Sequence, residues 1–200
     1  MKTLKAIRIV AWAAVAIVIG GVATVLVLQQ FDDPPIATVA TIGGPFSLTD
    51  QHGQLVTEAS LKGHPSAMFF GYTYCPDVCP TTLFEMTSLM AELGPDADKL
   101  KVYFVTVDPE RDTQAVLADY LQAFDPRIGG LTGSREEIDK TLSAFRVFSR
   151  KVEGEDGSYL MDHTASVYLF DDDAVFTSTI DYQEDETTAL AKLKRLIDGA

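Results

Sequence analysis

The only two cysteines of the chain stand four residues apart in Tyr74-Cys75-Pro76-Asp77-Val78-Cys79-Pro80. A thiolate is both a soft metal ligand and the attacking species in disulfide exchange, so a close pair has two chemistries open to it. The segment follows an apolar run, Ser66 to Tyr72, and precedes a helical pattern. It therefore sits at a helix N-terminus, where free amides and the positive end of the dipole favour a thiolate over a neutral thiol. Four residues make about one helical turn, which brings the side chains within about 5–6 Å of each other. That is close enough to share a metal or, after a small adjustment, to form a disulfide. A purely stabilising bridge is the poorer account, because so short a loop constrains the unfolded chain little.

A third donor has to come from elsewhere, and the candidate is His163 in Met161-Asp162-His163-Thr164-Ala165, just before a predicted strand. In a thioredoxin-like topology that loop faces the cysteine loop. Two thiolates and an imidazole suit Cu(I), which prefers soft ligands and accepts low coordination. Structural zinc would want a fourth ligand. Asp77 and His64 are the nearest options, but His64 reads as a turn residue in Lys62-Gly63-His64-Pro65. Met86 belongs to an apolar helical stripe and Met161 is left undecided. Thioredoxin-type oxidoreductases place a cis-proline ahead of the strand facing their cysteines, and no proline occurs from Asp162 to Ala165. That departure weighs against a pure dithiol enzyme.

The elements that must position these residues follow from periodicity. Ser66 to Tyr72 and Val102 to Val107 are continuously apolar, as in central parallel strands covered on both faces. Between them Leu83, Met86, Leu89, Met90 and Leu93 recur at helical spacing until Gly94-Pro95. Val116 to Phe124 marks a second helix, and Ser134 with Glu137 forms a capping-box pattern ahead of Ile138, Leu142 and Phe145. Two hairpins are predicted, one across Thr49 to Gly53, with His52 a plain turn residue, and one across Asp171 to Ala174. A last helix turns Leu190, Leu193 and Ile197 inward. The fold class expected is α/β, a thioredoxin-like fold with an added N-terminal β-hairpin, preceded by one transmembrane helix.

That transmembrane reading rests on Ile9 to Leu28, twenty positions without a charge, enough for a helix to cross the roughly 30 Å of hydrocarbon. No small-x-small cleavage site closes the run, which favours an uncleaved anchor over a signal peptide. Lys2, Lys5 and Arg8 precede it, whereas all 29 acidic residues follow position 31. Positive-inside orientation then puts the N-terminus in the cytoplasm and the rest across the membrane. With no room for a transit peptide, the expected location is a bacterial inner membrane, single-pass, with the C-terminal domain in the periplasm. The expected organisation is residues 1–30 as cytoplasmic N-terminus and anchor, 31–42 as linker around Asp32-Asp33-Pro34-Pro35, and 43–200 as the folded domain. A net charge of −13 excludes nucleic acid as a partner.

Five segments in order, Gly43 to Leu48, Phe70 to Pro80, Val107 to Thr113, Gly130 to Glu137 and Asp162-His163-Thr164, together resemble the Sco/SenC family. The resemblance runs from about Gly43 to the C-terminus. It implies a copper metallochaperone for the dinuclear copper site of cytochrome c oxidase, not an enzyme in the strict sense. Cys75, Cys79 and His163 would hold Cu(I), with Cu(II) left open. Implied partners are the copper-binding subunit of the oxidase and other periplasmic copper chaperones or thiol reductants. Family members are also argued to be thiol-disulfide reductases or redox sensors, for which Cys75 and Cys79 would form a redox disulfide. The Val107 to Thr113 and Gly130 to Glu137 segments read physically as a strand-to-helix turn and a capped helix start. If the charge argument holds, a reporter fused after Ala200 is active only outside the cytoplasm; cytoplasmic activity would overturn it.

Overall fold

The computed structural model describes Trp12, Val15 and residues 17–22, 41–154 and 157–199. Two compact units divide the chain, Met1–Ala40 and Thr41–Ala200. In the first, residues 17–22 are helical and exposed. Among the described residues no helix is long and apolar enough to cross a membrane; the expected anchor over 1–30 and linker over 31–42 lie largely outside them.

The second unit is a mixed α/β fold around a seven-stranded sheet. Its strands are β1 (Ser47–Asp50), β2 (Leu55–Thr57), β3 (Ser66–Gly71), β4 (Lys101–Thr106), β5 (Ile128–Thr132), β8 (Val167–Phe170) and β9 (Phe176–Ile180), ordered β2-β1-β5-β4-β3-β8-β9. β3, β4 and β5 run parallel, while β1 and β8 join antiparallel. Both predicted hairpins form, β1–β2 and β8–β9. Among the described residues four α-helices complete the unit: α1 (Val78–Leu93), α2 (Gln114–Leu121), α3 (Arg135–Ala144) and α4 (Glu186–Asp198).

β3 is buried at all six positions, which is why its sequence is apolar without alternation. Its pleat splits the core into two faces. Phe69 stacks toward Phe104, which meets Tyr120 of α2, on one face. On the other, Phe70 packs with Phe145 and Tyr168, and Phe145 also meets Phe46 and Phe170. The helix starts were legible: Ser134 and Glu137 close a reciprocal capping box, and Asp185 accepts from the Thr188 amide at 3.0 Å. In α4 Leu193 is fully buried as predicted, joined by Ala189 and Leu196, while Leu190 and Ile197 are partly covered.

Two elements were not anticipated. β5 reads Ile-Gly-Gly-Leu-Thr, and its glycines suggested only the approach to a capped helix. They are strand residues because neighbours occupy the space where side chains would be: a Cβ at Gly129 would meet the Tyr103 ring at 3.1 Å, and one at Gly130 would meet Leu121 at 2.7 Å. The other is a separate two-stranded sheet, β6 (Ser149–Glu153) and β7 (Tyr159–His163). Its residues are mostly exposed and β6 is rich in charge, so no apolar alternation betrays it.

Gly71 ends β3 on the same face as Phe69, and a methyl there would come within 2.7 Å of both Cys79 Sγ and a Phe104 ring carbon. Gly71→Ala is expected to cost about 1–3 kcal/mol by overpacking, read by denaturant unfolding of the reduced protein. Wild-type stability would show that Cys79 does not sit against this strand.

Candidate metal centre

Cys75 lies in the loop between β3 and α1, half-buried, and Cys79 lies in the first turn of α1, fully buried. The helix begins at Asp77, whose side chain makes no capping hydrogen bond. That task falls to sulfur: the Cys79 amide donates to Cys75 Sγ at 3.4 Å. A helix start needs acceptors for its free amides, and here the acceptor is a reactive thiol group. His163 is the last residue of β7, separated from β8 by three residues, so the expectation that it precedes a strand holds while its own placement in a strand was missed.

The three side chains come together. Cys79 Sγ is 3.4 Å from His163 Nε2, and one donor atom from each of Cys75, Cys79 and His163 falls within 4.8 Å of the others. The other imidazole nitrogen, Nδ1, is 2.9 Å from the Thr164 carbonyl. A carbonyl can only accept, so the proton is assigned to Nδ1 and the Nε2 lone pair turns to the sulfurs. Phe69 and Tyr72 hold the ring edge-on, at centroid distances of 6.1 and 5.7 Å.

The two thiols are pushed in opposite directions. Hydrogen bonding from Cys79 lowers the Cys75 thiol to about 3, against burial and with help from the backbone amides of Asp77 and Cys79. Burial pushes the Cys79 thiol strongly up, and the charge on Cys75 adds to that. A second charge in this apolar pocket is disfavoured until a cation arrives to take the place of the proton.

The chemistry of the donor set fits a soft monovalent metal: two sulfurs, one oriented imidazole nitrogen, and no further His, Cys, Asp or Glu grouped with them among the described residues. His64 is exposed on the loop before β3, and Met86 is buried in the core of α1. Met161, at 9 % exposure, packs in the core as well.

The segment 107–113 does more than turn the chain. Asp112, fully buried, accepts from the Thr73 amide and hydroxyl at 3.0 and 2.6 Å and from the Thr106 hydroxyl at 2.7 Å. Thr73 stands two residues before Cys75, so this carboxyl pins the cysteine loop to the end of β4. Burial pushes the Asp112 carboxyl up from its ordinary value, against those three hydrogen bonds. Its sequence signal was there, an acidic residue in a recurring segment, but nothing local says that it would be interior.

A thioredoxin-like domain with a Cys-x-x-x-Cys helix start and a facing histidine is thus a dithiol centre built to take a soft metal. The chain belongs to the SCO1/SenC family, whose profile matches residues 35–198. A SCO2-like protein of Rickettsia felis is 42% identical over 132 residues, covering 65% of this chain and 64% of its own; the chain thus spans just under two thirds of that relative's length. Bradyrhizobium japonicum ScoI with copper bound superposes with a TM-score of 0.73 at 52% identity, covering 78% of this chain and 99% of that one. Yeast Sco1 with copper bound gives 0.74 at 35% identity, covering 80% and 90%.

In the metal-free reduced protein, titration of the ultraviolet thiolate absorbance should show one thiolate already formed at about pH 6, where an unperturbed cysteine is protonated. Cys75→Ser should remove it and Cys79→Ser should shrink it by raising the Cys75 pKa. No thiolate at that pH would contradict the opposed shifts of the two thiols.

Proposed function

We propose that this chain binds Cu(I) through Cys75, Cys79 and His163 and delivers it to the dinuclear copper site of cytochrome c oxidase. The observation that carries this reading is the convergence of two sulfurs and an oriented imidazole nitrogen within 4.8 Å. Copper is cargo in this scheme. The copper-bound relatives support the metal, and family membership supports the place in oxidase assembly.

The residues divide the work. Cys75, already a thiolate and half-exposed, makes the first contact with incoming metal. Cys79 gives up its proton as the metal is taken, and the His163 Nε2 lone pair completes the set. Release to an acceptor would follow the same order in reverse, with exposed Cys75 as the exchange point. Apposed membrane anchoring, with the folded unit in the periplasm of a bacterium, belongs to the same proposal and rests on the uncharged run and the charge asymmetry of the N-terminus. So does the division into anchor, linker and domain.

A second reading has its own observation. Both thiols are free and adjacent, with Cys79 N–H on Cys75 Sγ, so a disulfide could form and be reduced by exchange. A reductase or redox sensor needs only the sulfurs; a carrier needs the histidine too.

His163→Ala separates them. With the purified full chain and a competing Cu(I) chelator, the variant should retain copper at least about tenfold more weakly, a loss of about 1.4 kcal/mol, while Cys75–Cys79 disulfide formation persists. In cells lacking the protein it should fail to restore oxidase assembly. Normal oxidase copper loading by His163→Ala, with Cys75→Ala inactive, would replace the carrier by the reductase.

A further inference from the structure

Among the described residues, the β6–β7 hairpin that ends in His163 is hydrogen-bonded to no strand of the main sheet. Along β7 only Met161 is buried, and β6 is almost wholly exposed. Its one ion pair across the strands, Arg150 with Asp162, is exposed on both sides and so holds little. A ligand-bearing element so loosely covered needs some other tie to the cysteine loop.

Arg111 supplies that contact. Its Nε donates to Asp108 at 2.5 Å and its Nη1 to the Tyr159 carbonyl at 3.1 Å, at the start of β7. The Tyr159 hydroxyl donates in turn to Asp108 at 3.0 Å. Asp108 is itself buried and fixed to the end of β4, its amide donating to the Thr106 hydroxyl at 2.9 Å. The guanidinium carbon lies 3.7 Å from the Tyr159 ring centroid, 4.8 Å from that of Tyr74 and 5.6 Å from that of Tyr72. Tyr159 belongs to the histidine hairpin. Tyr72 and Tyr74 belong to the cysteine loop, and Tyr72 is also one of the two rings against His163. One planar cation therefore bonds to the body of the domain, to the strand bearing His163, and stacks on the loop bearing Cys75. A planar fork that donates hydrogen bonds while lying near three aromatic rings is a job for arginine rather than lysine.

We propose that Arg111 is a positioning residue that holds the His163 hairpin against the cysteine loop, so that three donors are assembled before the metal arrives. This rests on the copper-binding reading above. Arg111 touches no donor atom. Its effect on the metal passes through His163, and that makes it separable from a general role in folding.

The test is a double-mutant cycle on the full chain with Arg111→Met, His163→Ala and the pair, each titrated with a competing Cu(I) chelator. Arg111→Met should weaken retention by roughly 10–100-fold, as loss of a ligand's supporting contact does. The pair should be no weaker than His163→Ala alone. In the metal-free protein, nuclear magnetic resonance should show the His163 ring losing its contacts to Cys79 and Phe69 in Arg111→Met while core signals persist. Unchanged retention, unchanged His163 contacts, or a loss that adds in full to that of His163→Ala would each overturn the proposal. Should Arg111→Met not fold, Tyr159→Leu removes the ring and hydroxyl that Arg111 and Asp108 meet on the hairpin, while the carbonyl contact and the Arg111–Asp108 pair stay, and a smaller loss in the same direction is required. If His163→Ala binds copper as wild type does, the copper reading fails, and the metal-free measurement still judges Arg111.

Discussion

Two sulfurs at the start of α1, one favoured as a thiolate and the other as a thiol, govern this centre. Cys79 is buried against Gly71 and Phe104, where a lone thiolate would be costly, so it stays protonated and donates to Cys75. Cys75 is left as an anion that accepts the helix amide an ordinary cap would have taken. The site is thereby held in a state that a soft cation completes, because the cation can replace the proton and neutralise both sulfurs at once. The helix start and the buried strand matter here through their effect on that proton, and the histidine through its free Nε2.

The fold serves this arrangement at three points. The bare Cα of Gly71 opens the space in which the Cys79 sulfur lies. Asp112 draws Thr73 onto the end of β4 and so fixes where the cysteine loop leaves the sheet. The β6–β7 hairpin brings His163 across from the far side of the sequence, with Nδ1 committed to the Thr164 carbonyl and Nε2 free for the sulfurs. Each constrains the position of a donor atom or of the loop that carries it.

Much of this was legible in the sequence, for physical reasons. β3 and β4 announce themselves because strands covered on both faces must be apolar at every position. The helix starts announce themselves because capping uses few residue types. The cysteine pair and His163 were readable from donor chemistry, and the family resemblance agreed with it. What stayed hidden lacked a local pattern. β5 carries two glycines where Tyr103, Leu117 and Leu121 fill the space, and only the assembled neighbours make those glycines strand residues. The His163 hairpin is mostly exposed and its β6 is rich in charge, so periodicity says nothing about it. Asp112 and Arg111 looked like turn residues in 107–113; their roles depend on partners 39 and 48 residues away.

A pair of free thiols alone would serve electron exchange as well as metal transfer, and the imidazole nitrogen, 3.4 Å from Cys79 Sγ, distinguishes the two accounts. The most direct measurement is X-ray absorption at the copper edge of the Cu(I)-loaded full chain. The account predicts two sulfur scatterers and one imidazole nitrogen on a single copper, with the imidazole signal lost in His163→Ala. A copper bound by sulfur alone, with no imidazole contribution in the unsubstituted protein, would contradict it.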